Sequence, residues 1–289
     1  LYVGLTVDTD PEMTPRQSLT SVPSSFEAIN SDTLDGMQAN EIIDAASDEV
    51  RMPISSLPFT ITSSGSYYLA GNLNASTGLD RITITASNVT LDLMGFTISG
   101  APAYDPLIIN GSNVTVSNGI IDASTVAGNT AISGAGNWIT IFNMKMVPGI
   151  DLRGERQTIE NCIAGGGDGD NNATGGVFVG DYSIVKNCKI LMALAGGLYA
   201  GDYSQLINNI VRVGDGGSLG AGDHSLLEGN QVYASSSTCL SAGEEAKVIN
   251  NSISSCTGRG IEVGSGTLVE GNSVSHAENI GILTGESAI

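Results

Sequence analysis

The chain has 289 residues, 41% of them apolar but only 5% aromatic, with 38 glycines, a balance that suits a narrow aliphatic core closed by many tight turns. Thirty acidic residues against 11 basic ones leave a formal charge of -19, a field that repels phosphate backbones and anionic lipid heads and so argues against nucleic-acid partners. No stretch approaches the roughly 20 consecutive apolar residues of a membrane-crossing helix, so membrane insertion is not expected.

In chain order, residues 1–52 read as an extension. Leu1 to Val7 is an apolar lone strand, Asp8 to Val22 a proline-punctuated loop, and Thr33 to Val50 a short helix with Ile42, Ile43 and Ala46 on one side. A strand this apolar without a neighbour in sequence wants a sheet supplied by an upstream β-rich domain or by another copy of the chain. Leu1, Tyr2, Val3, Leu5 and Val7 are therefore candidate assembly residues for strand addition.

Residues 53–289 read as a solenoid whose first coils, at about 53–85, act as an N-terminal cap over an otherwise open end. Three segments restate one strand: Asn88-Val89-Thr90-Leu91, Asn113-Val114-Thr115-Val116 and Asn137-Trp138-Ile139-Thr140. Gly154 then opens a series of marker glycines, interrupted by an inserted loop from Gly165 to Thr174. From Gly180 the markers fall every 21 residues, at Gly201, Gly222, Gly243, Gly264 and Gly285. That period is too short for paired helices and lacks the helix and the L-x-x-L-x-L pattern of a leucine-rich horseshoe. It fits one coil of short parallel strands.

Inward files follow from the alternation of strand side chains. Val177, Leu198, Leu219, Leu240, Ile261 and Ile282 form one; Val179, Ala200, Ala221, Ala242, Val263 and Thr284 another. Val185, Leu206, Leu227, Val248 and Val269 form a third, and Ile190, Val211, Val232, Ile253 and Val274 a fourth. Eight residues after each marker lie Cys162, Cys188, Asn209, Asn230, Asn251 and Asn272, which predict a stack of hydrogen-bonded amides. Cys162 and Cys188 share that slot in successive coils, either as small apolar substitutes for asparagine or as a disulfide.

The segment Gly65-Ser66-Tyr67-Tyr68-Leu69-Ala70-Gly71-Asn72-Leu73, with Ile82 to Gly100 after it, resembles the opening coils of the pectate-lyase-like superfamily. The resemblance spans about residues 57–289 and implies an all-β, right-handed parallel β-helix. It also implies a choice of activities, since that superfamily holds lyases, hydrolases, tailspike glycosidases and proteins without chemistry. The Asn-Thr-Asp, Asp-Asp, Gly-His-Gly and Arg-x-Lys sets of its polygalacturonase-like members are absent from this sequence. Residues 1–40, with Pro11-Glu12-Met13-Thr14-Pro15-Arg16-Gln17 and Asp32-Thr33-Leu34-Asp35-Gly36, resemble a linker of secreted bacterial surface proteins and phage-tail-like fibres, which implies display outside a cell.

Two groups of residues carry candidate chemistry. A lyase needs a base and a cation to neutralise a uronate carboxylate, and Arg153, Arg156, Lys186 and Lys189 with Glu160 form the one basic cluster that fits. Directly after the markers stand Glu155, Asp181, Asp202, Asp223, Glu244 and Glu286. Carboxylates stacked at roughly 5 Å need compensation from turn N–H groups, from calcium or from solvent. The acidic loop around Asp168 and Asp170 is a second place for calcium. His224 and His276 read as surface residues without a task.

Two functions are expected. One is an extracellular, non-catalytic structural or adhesive protein that assembles with other copies or with an upstream domain. The alternative is a polysaccharide lyase or glycoside hydrolase, or a module binding an acidic polysaccharide.

Overall fold

The computed structural model describes residues 51–75, 81–100, 105–123, 130–165, 176–192, 196–215, 218–235 and 238–287, together with the two-residue strands Tyr2–Val3, Gln17–Ser18, Thr33–Leu34 and Met37–Gln38. It divides into two units, Leu1–Val50 and Arg51–Ile289. Every described regular element is a β-strand.

In the first unit, two expectations are corrected. Tyr2–Val3 is not a lone strand: it pairs antiparallel with Gln17–Ser18, inside the segment expected to be a loop. The start of the expected helix is a hairpin, Thr33–Leu34 against Met37–Gln38. Leu1, Leu5, Val7, Ile42, Ile43 and Ala46 lie outside the described residues.

The second unit is a parallel β-helix. Its coils stack through two sheets, one of 11 strands and one of 19. The 11-stranded sheet is the first face, running from Phe59–Ile61 to Ile282–Thr284. The larger sheet holds two strands of each later coil. Those before a short turn, such as Gln205–Ile207 and Leu226–Glu228, make the second face. Those after it, such as Ile210–Asp215 and Gln231–Ser235, make the third. Stacking begins at once: Met52–Ile54 pairs in parallel with Tyr67–Leu69, and Phe59–Ile61 with Ile82–Ile84.

Register follows the repeat. Val177 lies beside Leu198, Leu198 beside Leu219, Leu219 beside Leu240, Leu240 beside Ile261 and Ile261 beside Ile282. The first five are buried, and each such aliphatic side chain removed from water stabilises the fold by about 1.5–3 kcal/mol. Ile282, in the last described coil, is 44% exposed because no described coil covers it.

The marker file also extends further back than its spacing suggested. A Cβ on Gly136 would meet the Gly111 carbonyl at 2.0 Å, one on Gly154 the Gly136 carbonyl at 2.1 Å, and one on Gly180 the Gly154 carbonyl at 2.0 Å. Gly111 and Gly136 therefore occupy the same corner as the later markers, in coils of other lengths.

Two internal ladders satisfy the buried turns. Asn209 Nδ2 donates to Asn230 Oδ1 at 3.1 Å and to the Val185 carbonyl at 2.8 Å, and Asn230 and Asn251 repeat the arrangement toward Asn251 and Asn272. The residue before each rung, including Asn187, Asn208 and Asn250, has φ near +55°, which asparagine tolerates. A second ladder was not anticipated: the Ser183 N–H donates to Ser204 Oγ, the Ser204 N–H to Ser225 Oγ and the Ala246 N–H to Thr267 Oγ1.

Candidate functional site

The corner after each marker glycine carries the carboxylate row. Asp181 Oδ1 accepts the Asp202 N–H at 2.9 Å, Asp202 Oδ1 the Asp223 N–H at 2.9 Å, and Asp223 Oδ1 the Glu244 N–H at 2.7 Å. Neutral side chains do the same work earlier: Asn137 Oδ1 accepts the Glu155 N–H, and Ser112 Oγ the Asn137 N–H. One oxygen of each aspartate is thus engaged by the next coil. No cluster of three or more His, Cys, Asp or Glu suited to a metal occurs among the described residues. Asp168 and Asp170 lie outside them.

One residue further along, the same corner carries an unanticipated stack. Arg156 lies 4.8 Å from the Trp138 ring centre and 5.2 Å from that of Tyr182. Tyr182 stacks on Tyr203 at 5.0 Å, Tyr203 on His224 at 4.7 Å, and His224 Nδ1 lies 3.3 Å from Glu245 Oε2. Each of these residues has φ between 52° and 61°, so the turn aims them outward in one file. His224, expected to be idle, is a member of this file. The 21-residue spacing of Tyr182, Tyr203, His224 and Glu245 was visible in the sequence; the dissimilar residue types hid it.

The basic residues grouped as a cleavage site do not converge. Arg153 follows the first-face strand Ile150–Leu152 and grips Asp151, its Nη2 donating at 2.8 Å. That carboxylate raises the Arg153 pKa above the ordinary arginine value. Lys186 is on the second face, in Ile184–Lys186, paired with Glu160 at 3.0 Å. Lys189 opens the third-face strand Lys189–Met192. Arg156 is held in the corner stack. The short turns that define the three faces separate residues adjacent in sequence.

A shallow concavity of about 430 Å³ lies on the first face, lined by Asp151, Leu152, Arg153, Phe178, Val179 and Gly180. Phe178 stacks on Tyr199 at 5.4 Å, and the Tyr199 hydroxyl meets Ser218 Oγ at 2.7 Å. Its one cation is already bound to its one carboxylate.

Of the two alternatives for Cys162 and Cys188, the structure has the unbonded one, and the disulfide lies elsewhere. Cys162 and Cys188 are free, buried thiols, and the disulfide joins Cys239 to Cys256 across a Cα separation of 5.8 Å. Cys239 points inward near the start of a first-face strand and Cys256 at the end of the third-face strand of the same stretch, so the bond closes one coil. Each thiol donates to a backbone carbonyl, Cys162 Sγ to Glu160 at 3.2 Å and Cys188 Sγ to Lys186 at 3.3 Å; the neighbouring Cys188 lowers the pKa of Cys162, while Cys162 and burial push Cys188 well above the usual thiol value.

No family profile matches the chain, and no characterised protein sequence aligns with it significantly. Among solved structures it is similar to the A-module of the mannuronan C-5 epimerase AlgE4 of Azotobacter vinelandii, at 12% identity and a TM-score of 0.44, covering 85% of this chain and 89% of that one. It is similar to the Streptococcus pneumoniae surface protein and adhesin PfbA, also at 12% identity and a TM-score of 0.44, covering 89% and 98%. The Dettilon tailspike protein matches at 12% identity and a TM-score of 0.35, covering 89% and 73%.

Proposed function

We propose that this chain is a non-catalytic module of the extracellular space or cell surface, with a structural or adhesive role. The observation that carries the reading is the dispersal of the cleavage candidates: Arg153, Lys186 and Lys189 face three ways, and the first two are neutralised by Asp151 and Glu160. A transition state that develops carboxylate charge needs an uncommitted cation beside a base, and these residues do not supply one. The Cys239–Cys256 disulfide supports the location, since such bonds persist in oxidising compartments.

Assembly through Leu1–Val7 belongs to the same proposal. Tyr2–Val3 has one edge occupied by Gln17–Ser18, and a strand offers two. Val3→Asp should shift any oligomer of the full chain toward monomer in sedimentation velocity.

The test of the non-catalytic role is incubation with polyuronates, sulfated glycans and neutral glucans. Viscosity, reducing ends and the ultraviolet absorbance of unsaturated uronates should stay at the blank. Turnover that Asp151→Asn abolishes would replace the proposal with its alternative, an enzyme using the concavity beside Phe178.

A further inference from the structure

The chain has 11 basic residues among 30 acidic ones, and most of its described cations are engaged. Arg51 pairs with Asp92, Arg153 with Asp151, Lys186 with Glu160 and Arg259 with Glu262, while Arg156 sits between two rings. Lys247, on the second face, is exposed and makes no ion pair among the described residues. Lys145, Lys189 and Arg212 are likewise exposed and without an ion pair among the described residues.

They also share the third face. Lys145 lies beside Ile163, Ile163 beside Lys189 and Lys189 beside Ile210, so the two lysines occupy one outward file two rungs apart, roughly 10 Å. Leu191 lies beside Arg212, which places Arg212 one rung beyond Lys189 and two residues along the strand, roughly 7 Å farther across the face. From Ile163–Gly165 to Ser273–Ala277 the strands of this face carry one acidic residue, Asp215, at the end of Ile210–Asp215. A second carboxylate, Asp122, lies beside Val147 at the lower margin. In a chain of net charge -19, a strip with three cations that make no ion pair among the described residues and one strand-end carboxylate is a departure from the surrounding field.

The remaining side chains give the strip its chemistry. Arg212 lies over the Tyr233 ring at 5.0 Å, and Lys189, Leu191, Ile210, Arg212, Gln231 and Tyr233 line a shallow hollow of about 290 Å³. Cations therefore alternate with apolar and aromatic surface along a straight, rigid track. A nucleic acid carries a phosphate at each nucleotide, and the charge of the whole chain opposes so dense a polyanion. A linear polysaccharide with one carboxylate or sulfate per sugar or per disaccharide presents the alternation that matches, with anionic groups separated by apolar C–H faces.

We propose that the third face is a binding track for a linear anionic polysaccharide, with Lys145, Lys189 and Arg212 pairing its anionic groups and Tyr233, Leu191 and Ile210 covering its sugar faces. This deepens the adhesive reading by giving it a ligand class and a site.

The test uses the full chain with four probes: a polyuronate oligosaccharide, a sulfated glycosaminoglycan oligosaccharide, neutral dextran and single-stranded DNA, titrated by calorimetry at two salt concentrations. At least one anionic probe should bind, more weakly as salt rises, and dextran should not. The double variant K189E/R212E should lower that affinity about tenfold or more while its melting temperature stays at the parent value. Lys247→Glu, an exposed cation on the second face, should change affinity less than about twofold. Anionic probes that bind no better than dextran, an unaffected K189E/R212E, or equal binding of single-stranded DNA would each overturn the track. Binding accompanied by shortening of the polymer would keep the track and overturn the non-catalytic role; absent binding with intact polymer would do the reverse.

Discussion

Asp202 Oδ1 accepts the Asp223 N–H at 2.9 Å and lies 2.0 Å from where a Cβ on Gly222 would stand. The glycine is needed for close approach: the aspartate of one coil fills the space over the marker of the next. Gly222→Ala should therefore destabilise the chain by about 1–3 kcal/mol in urea unfolding. In an Asp202→Ala background the same change should cost less, because the closest clash is gone and only the Asp202 backbone, with its nitrogen at 2.9 Å, still crowds the added Cβ. Equal costs in both backgrounds would show that the carboxylate is not what excludes the side chain.

Asn230 is fully buried, accepts the Asn209 backbone and side-chain N–H groups, and donates to the Leu206 carbonyl and to Asn251. Asn230→Ala strands several buried groups and should cost about 2–4 kcal/mol, each unsatisfied group contributing about 1–3. Asn272→Ala, at the half-buried end of the ladder, should cost less. Denaturant midpoints that coincide would show that the ladder carries no cooperative load.

Thiol counting separates the two cysteine pairs. A thiol reagent should find no reactive group in the native chain, two after unfolding and four after unfolding with reduction, because Cys162 and Cys188 are buried and Cys239 is bonded to Cys256. The raised pKa of Cys188 keeps its thiol protonated at neutral pH, which adds to its inertness. Replacing both Cys239 and Cys256 with Ala should lower stability by about 3 kcal/mol, read by thermal melting.

Tyr203 stacks on Tyr182 and on His224 while holding φ at 56°. Tyr203→Ala loses both ring contacts, about 1–3 kcal/mol in all, whereas Tyr203→Phe should stay close to the parent. Tyr203→Gly should be less damaging than Tyr203→Ala, since glycine accepts positive φ freely. The reverse order in thermal melts would mean that the corner backbone is not strained.

Glu262 accepts a hydrogen bond from the Arg259 guanidinium, which holds its carboxyl below the usual range, with Thr238 contributing a further bond. A depressed folded pKa means that its stabilisation is present above the unfolded carboxylate pKa of about 4.3 and is lost as pH falls through the lower folded value. Glu262→Gln should thus be slightly less stable than the parent at neutral pH and converge with it in acid. The difference should be small and shrink in salt, because the pair is partly exposed.

The 21-residue beat was legible because each coil offers the same environment as the last, so like side chains recur at like positions. Val177, Leu198 and Leu219 are assigned to one inward file, and Asn209 and Asn230 to one ladder, by the sequence alone. The dispersal of Arg153, Lys186 and Lys189 could not be read that way. Their facing depends on where the chain bends within a coil, and a two-residue turn at Asn187-Cys188 is enough to send neighbours to different faces. The same reason hid the Cys239–Cys256 bond, whose ends meet only when a coil closes, and the joint placement of Lys145, Lys189 and Arg212, which stand 44 and 23 residues apart in sequence but only two rungs and one rung apart in space. Periodicity names the file a residue belongs to; the angle between strands decides which files share a surface.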